Sequence, residues 1–279
     1  MKGEYDVALT ELKIALDLRK ELGDRRSIAL SLNNIGLVWM DHGKTVNAAE
    51  ALEASLKIRR EIDDPIGIVQ SLNNLGKLAQ DKNDDKEALR LFREAYEVAR
   101  EIGERNRLAV VMTNIGETHY RLGDTKEAIR VLKQAEELCD ELGDRLHLAE
   151  AKRGLAKAYL LQGELRKARE VIKHAVDLFG QVRSKAHLAI ALRTLGEVTA
   201  AGAWGAGHEH KAVDYFMRSI ALCKEIGNEV EVARSYRAFA DYVMGSDHYK
   251  QNADIQREAQ KLSQMADEIF DRIKKLATS

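Results

Sequence analysis

Apolar residues recur at helical spacing along the chain. Leu32, Ile35 and Trp39, and again Leu72, Leu75 and Ala79, fall at i, i+3 and i+7. Between and after them come Ala48, Leu52 and Ser55, then Ala88, Phe92 and Ala95, then Ala128, Leu132 and Ala135, then Ala168, Ile172 and Ala175, at i, i+4 and i+7. Either spacing lines three residues along one helical stripe, with polar residues filling the other faces. The pattern predicts amphipathic helices in pairs. In the second helix of each pair, small residues flank a large one. A Gly or Ala lets a neighbouring helix come close, and a Leu or Phe fills the space beside it.

The pairs form a repeat. Gly36, Gly76, Gly116, Ala156 and Gly196 follow one another at intervals of 40 residues, and Ala240 comes 44 after Gly196. A fixed period of this length marks a repeat array, whose hairpins bury their apolar faces only by stacking on one another. Gly43, Gly123 and Gly163 punctuate the middle of repeats, and Gly23, Gly103, Gly143 and Gly227 their ends, often with an acidic or amide residue next, which suits a helix C-cap and the start of another helix. Residues 1–26 align with the second half of later repeats and predict the second helix of a truncated first repeat. Full repeats occupy 27–245, and a polar-rich helical stretch over 246–279 reads as a C-terminal cap. Starting on half a hairpin suggests a fragment of a larger protein. The apolar residues Val7, Leu9, Leu12 and Leu16 would then lie partly uncovered, so a monomer or a weak end-to-end dimer is expected.

At 279 residues the chain could hold two ordinary domains, but the repeat makes one solenoid over 1–279 the better reading. Lys+Arg 44 against Asp+Glu 45 gives a net charge of −1, which offers no bulk attraction for nucleic acid or an anionic membrane. Cys139 and Cys223 stand alone, without disulfide or zinc spacing, and fit a reducing, cytoplasmic setting. No apolar run is long enough to span a bilayer, and the N-terminus does not read as a signal peptide.

The anchors resemble the tetratricopeptide repeat (TPR), over nearly the whole chain. That family's pattern sets a large residue, Leu, Gly or Ala and an aromatic in the first helix, and Ala, a large residue and Ala in the second. The usual proline closing the second helix is absent, and the unit is 40 rather than roughly 34 residues. The longer unit, with its LNNLG-like first helices, is similar to those of kinesin light chains, Pins-type polarity adaptors and bacterial signalling proteins. The resemblance implies an all-α fold, a right-handed α-solenoid of TPR helical hairpins, with the first helices lining a concave groove that holds a peptide or a partner domain.

Candidate binding residues sit on those first helices. Asn33, Asn34, Asn73, Asn74 and Asn114 recur at equivalent mid-helix positions, where Asn is a poor helix former and needs a reason to be. One reason is a ladder of amides facing a ligand's backbone, the role of a similar asparagine in the resembling families; the other is a tie from repeat to repeat. Arg153, Arg193 and Arg237 occupy the place of Asn33 and Asn73 in later repeats, with Lys157 one turn from Arg153. Guanidinium groups suit carboxylates, so an acidic, extended segment or a small partner domain is the expected partner. Pairing within the chain, to Glu150, Glu197 or Asp241, is the competing reading. Trp204, in a Gly/Ala loop, is either tucked away or an anchor for a partner. His208 and His210 make an H-x-H, a weak metal signal that reads more simply as a solvated loop. No phosphate loop, zinc-protease motif or nucleophile elbow occurs, so no enzyme, cofactor or metal is expected. The reading that follows is an interaction scaffold in signalling or polarity. The alternative is the sensor domain of a larger kinase or transcription regulator.

Overall fold

The computed structural model describes residues 2–202 and 207–278. Among them are thirteen α-helices and no strand: α1 (Lys2–Glu21), α2 (Arg25–Asp41), α3 (Thr45–Glu61), α4 (Pro65–Asp81), α5 (Asp85–Glu101), α6 (Arg105–Arg121), α7 (Thr125–Glu141), α8 (Arg145–Leu161), α9 (Leu165–Gln181), α10 (Lys185–Ala200), α11 (His208–Glu225), α12 (Glu229–Gly245) and α13 (Ala253–Thr278), with a single 3-10 turn at Asp247–Tyr249. The period has a simple origin. Helices α2 to α9 are 17 residues each, and three-residue turns join them. The turns need a left-handed residue to reverse the chain. Gly23, Gly43, Gly103, Gly123, Gly143, Gly163 and Gly227 supply it, while Asp63, Asn83 and Arg183 adopt φ of 49°, 59° and 54° at the same place in other turns. The next helix then starts on a cap. The carboxylates of Asp24, Asp64, Asp84, Asp124 and Asp144, and the amide of Asn228, each accept a bond from the backbone N–H three residues on.

The chain divides into two compact units, Met1–Leu122 with Lys274–Ser279, and Gly123–Ile273. In the first, each helix from α1 to α6 packs on the next, and the first helices of neighbouring repeats also meet, α2 with α4 and α4 with α6. In the second the same holds from α7 to α12, with α8 against α10 and α10 against α12. This is the all-α solenoid arrangement expected. The small–large–small stripes of α3, α5, α7 and α9 are all fully buried.

Glycine sets how closely paired helices approach. A Cβ placed on Gly36 would lie 2.6 Å from Leu52 Cγ, one on Gly76 2.4 Å from Phe92 Cε1, and one on Gly196 2.8 Å from Phe216 Cε1. Each large residue is itself fully enclosed or nearly so, so it has nowhere to retreat. At the far end of the second unit, α13 buries Ala259, Leu262 and Ala266 in a cluster with Phe216, Tyr236, Phe239 and Tyr249, as a capping helix should. Arg237 with Asp267, and Arg272 with Glu229 at 2.8 Å, hold it by charge. The first helix departs from expectation in detail. Leu9 and Leu16 are buried with Ile35 and Ala51. Val7 is uncovered as expected, but its neighbours on that stripe are Ile14 and Leu18, all three more than half exposed, with Leu22 beyond them. Apolar residues lie on two faces of α1, and only one of them meets α2.

Two glycine replacements separate packing from propensity. Gly76→Ala should destabilise by about 1–3 kcal/mol, because the new methyl meets a ring that cannot move. Gly180→Ala on α9, where nothing lies within 4 Å of the new atom, should be neutral or stabilise by up to about 1 kcal/mol. Urea denaturation of both variants checks the contrast, and similar midpoints for the two would contradict the close approach.

Candidate interaction surfaces on the first helices

In the first unit the repeated asparagines lie on α2, α4 and α6. Asn74 Nδ2 donates to Asn33 Oδ1 at 2.9 Å, and Asn114 Nδ2 donates to Asn73 Oδ1 at 2.6 Å. One repeat thus reaches back to the preceding one, twice, with the same offset. Asn33 is fully buried and Asn74 nearly so, while Asn34, Asn73 and Asn114 are half-buried. Asn33 Nδ2 is enclosed with no partner, an arrangement costing about 1–3 kcal/mol. The repeat-to-repeat tie therefore accounts for Asn33 and Asn74. The half-buried Asn34, Asn73 and Asn114 retain accessible amide surface.

In the second unit α8, α10 and α12 carry charge. Arg193 Nη1 donates to Glu231 Oε2 at 2.5 Å, and its Nε lies 3.8 Å from Glu197 Oε1. Arg234 Nη1 meets the other Glu231 oxygen at 2.5 Å. Arg237 is held by Asp267 of α13. Two of the three arginines expected to face a ligand are therefore engaged by carboxylates of the chain itself, and for Arg193 the partners include the expected Glu197. Arg153 and Lys157 are half-buried on α8. Burial pushes the Glu197 carboxyl above the usual glutamate value, against the pull of Arg193, Lys157 and Arg153. Burial also acts on Glu231, but Arg193 and Arg234 outweigh it and hold that carboxyl below its ordinary value. Neighbouring carboxylates of one network thus titrate in opposite directions.

A histidine pair belongs to the same face. His187 Nε2 lies 3.1 Å from Glu150 Oε1 and His147 Nε2 3.9 Å from Glu150 Oε2. His147 Nδ1 is 2.5 Å from Asp144 Oδ2, and His187 Nδ1 is 2.6 Å from Ser184 Oγ. Burial raises the Glu150 carboxyl, yet the bond from His187 and the charges of His147, His187 and Arg153 prevail and keep it low. Sequence reasoning passed over these histidines. Their signal was there, since His147 and His187 occupy one position of successive repeats.

The remaining candidates do not join these faces. Trp204 lies outside the described residues. His208 Nδ1 is 3.3 Å from Glu209, and the His210 ring stands edge-on to His248 at 5.5 Å. Among the described residues no three His, Cys, Asp or Glu side chains are placed to hold a metal ion. Cys139 and Cys223 are both buried; desolvation, with the nearby Asp144 and Glu150, pushes the Cys139 thiol up to about 12, so it is no nucleophile at neutral pH. No described helix is long and apolar enough to cross a membrane.

With fold and faces in view, comparison with known proteins defines the class. A tetratricopeptide-repeat model matches residues 67–141 and, overlapping, 107–181. A model of anaphase-promoting complex subunit 5 matches residues 1–81. No protein of curated function matches in sequence. Among solved structures, the apo form of RapI superposes with a TM-score of 0.76 at 18% identity, covering 98% of this chain and 94% of that one. The Rap conjugation gene regulator of plasmid pLS20, in complex with the Phr* peptide, gives 0.75 at 14% identity over 99% of this chain and 71% of that one. A signal transduction ATPase with a tetratricopeptide-repeat sensor from Pyrococcus horikoshii gives 0.64 at 18% identity, over 99% of this chain and 42% of that one. Residues 67–181 are thus tetratricopeptide repeats, and the fold over nearly the whole chain is that of these solved structures.

Two measurements test the faces. A double-mutant cycle of Asn33→Ala and Asn74→Ala should show a coupling of about 0.5–1.5 kcal/mol in the free protein. Zero coupling would mean that the amides do not meet in solution. Glu197→Gln should gain stability relative to wild type as pH rises. A carboxyl raised in the folded state stabilises the fold below its unfolded value and loses that contribution as pH climbs through the folded one, a loss the amide does not share. Thermal melts from about pH 4 to pH 7 should therefore show the variant's relative midpoint increasing; a constant offset would contradict the raised value.

Proposed function

We propose that the chain is an interaction module that holds an acidic, largely extended segment of another protein on the first-helix face of α8, α10 and α12. The observation that carries the reading is the charged row itself. Arg153, Lys157 and Arg193 project from successive first helices, and together they act on Glu197, which burial disfavours as a carboxylate. Guanidinium and ammonium groups in a row match the carboxylates of an acidic segment through charge-assisted hydrogen bonds. Neighbouring helices sit about 10 Å apart and an extended chain rises about 3.3 Å per residue, so a bound segment would meet a new helix at about every third residue. The pLS20 Rap regulator, a structure with the same fold, is seen in complex with a peptide, which supports the mode without identifying the ligand.

A second reading has its own support. The Pyrococcus ATPase carries this architecture as a sensor within a chain of which it is less than half. A sensor would bind its ligand on the same face and pass the change to an attached effector domain.

The test is selection of peptides from a displayed random library, followed by titration of a selected peptide. Selected sequences should be rich in Asp and Glu, and affinity should fall with salt. Arg153→Gln with Lys157→Gln should weaken binding at least about tenfold, near 1.4 kcal/mol. Arg166→Gln, exposed on α9, should not. Equal affinity in the first variant removes this face from the mechanism.

A further inference from the structure

The second unit has a cavity of about 410 Å³ on the opposite side, between the second helices α7 and α9 with α8 as its floor. The first unit has one of about 230 Å³ at the same place two repeats earlier, between α3 and α5 over α4. Five lining positions correspond at a spacing of 80 residues, Glu53, Leu56, Arg60, Leu72 and Glu94 with Lys133, Glu136, Asp140, Lys152 and His174, and their side chains differ in chemistry. The smaller one has Leu56 and Leu72 at its floor, and its charged walls are knit together by Arg60 with Glu94 and Arg90 with Glu87. In the larger one these leucines become Glu136 and Lys152.

The exchange is coupled and confined to this repeat. The same pair of positions holds Leu16 and Leu32, Tyr96 and Met112, Val176 and Leu192, and Ile220 and Tyr236 elsewhere. Lys152 is 9% exposed, where its counterparts Leu72 and Leu192 are 0% and 1%. Its ammonium pairs with Glu136. Glu136 is half-buried, and an ion pair that takes a lysine out of water in place of an apolar pair seldom adds stability, since desolvation consumes most of what the attraction supplies. The walls differ too. The Arg60–Glu94 pair becomes Asp140 and His174, and these, with Lys133 and Glu137, make no ion pair or side-chain hydrogen bond among the described residues. A polar floor below unpaired charges of both signs is the opposite of its sister cavity, where charge is neutralised and the floor is greasy.

We propose that this cavity is a binding site for a small zwitterion, a molecule with one carboxylate and one ammonium group, of which a free amino acid is the simplest. Lys152, Lys133 and His174 receive the carboxylate, and Glu137 and Asp140 receive the ammonium. Its volume lies at the small end of ligand sites, about 300–1,000 Å³, which suits a small ligand. Six ionisable side chains around Leu148 favour a charged ligand over an apolar one. The site is independent of the peptide-binding face on the first helices and stands or falls without it.

The experiment titrates the whole chain with glycine, L-glutamine, L-glutamate and L-lysine by calorimetry, with acetate and propylamine as single-charge controls. At least one amino acid should bind more tightly than about 1 mM, and both controls at least about tenfold more weakly. Glu136→Leu with Lys152→Leu restores the apolar floor used by the other repeats. It should melt no lower than wild type and lose at least about tenfold in affinity. Glu137→Gln with Asp140→Asn, on the exposed wall where folding is not at stake, should lose as much. No heat from any of the four amino acids overturns the proposal. So does unchanged binding in either double variant, or acetate binding as tightly as the amino acids, which would make the cavity a site for anions alone.

Discussion

The structure depends on the contact between a glycine of one helix and a large ring or branched side chain of its partner. Gly36 against Leu52, Gly76 against Phe92 and Gly196 against Phe216 leave no room for a methyl group. The contact fixes the distance within a hairpin, and hence where each first helix stands relative to the next. Everything polar on the first helices inherits its spacing from that distance. The Asn33–Asn74 and Asn73–Asn114 bonds recur with one offset because the stacking beneath them recurs.

Much of this was legible in the chain. The stripes on α3, α5, α7 and α9 are buried as their spacing requires, and the seventeen-residue helices and three-residue turns underlie the period of 40. Period and amphipathicity are properties of one helix and its neighbour, so a linear pattern carries them. Partner choice among charges was less legible. Arg193 chose Glu231, 38 residues away in sequence but adjacent in space, and Arg237 chose Asp267 on the capping helix. The position of α13 was predictable only as a cap, not as a source of counter-charge. His147 and His187 escaped notice because no motif names them, although they share a repeat position and one carboxylate.

The polar choices follow a division of labour. Midway along the first helices, neutral amides join repeats in the first unit, and Arg193 with Glu231 does so in the second. A pair of asparagines has two NH2 groups, each with two hydrogens to donate, and two carbonyls, so after one bond it keeps capacity to spare, as the partnerless Nδ2 of Asn33 shows. An ion pair leaves a field that reaches further than its contact. That is why Glu197 and Glu231, both close to Arg193, are driven in opposite directions: Glu231 has a second guanidinium in contact and Glu197 has burial against it.

A repeat protein also makes departures readable, because each position has several internal references. Four of the five other repeats pair two aliphatic residues, or an aliphatic with tyrosine, at the positions of Glu136 and Lys152, and the fifth pairs tyrosine with methionine. Stacking alone asks for nothing else there. A lone lysine at such a place would have been unfavourable, since a buried ammonium without a partner is the costliest of errors in a core. The carboxylate across from it makes the lysine tolerable, but neutralisation only returns the site to about the stability that leucine would have supplied without effort. Packing therefore gives no reason for the pair, and the reason has to come from what the opened, charged cavity can hold.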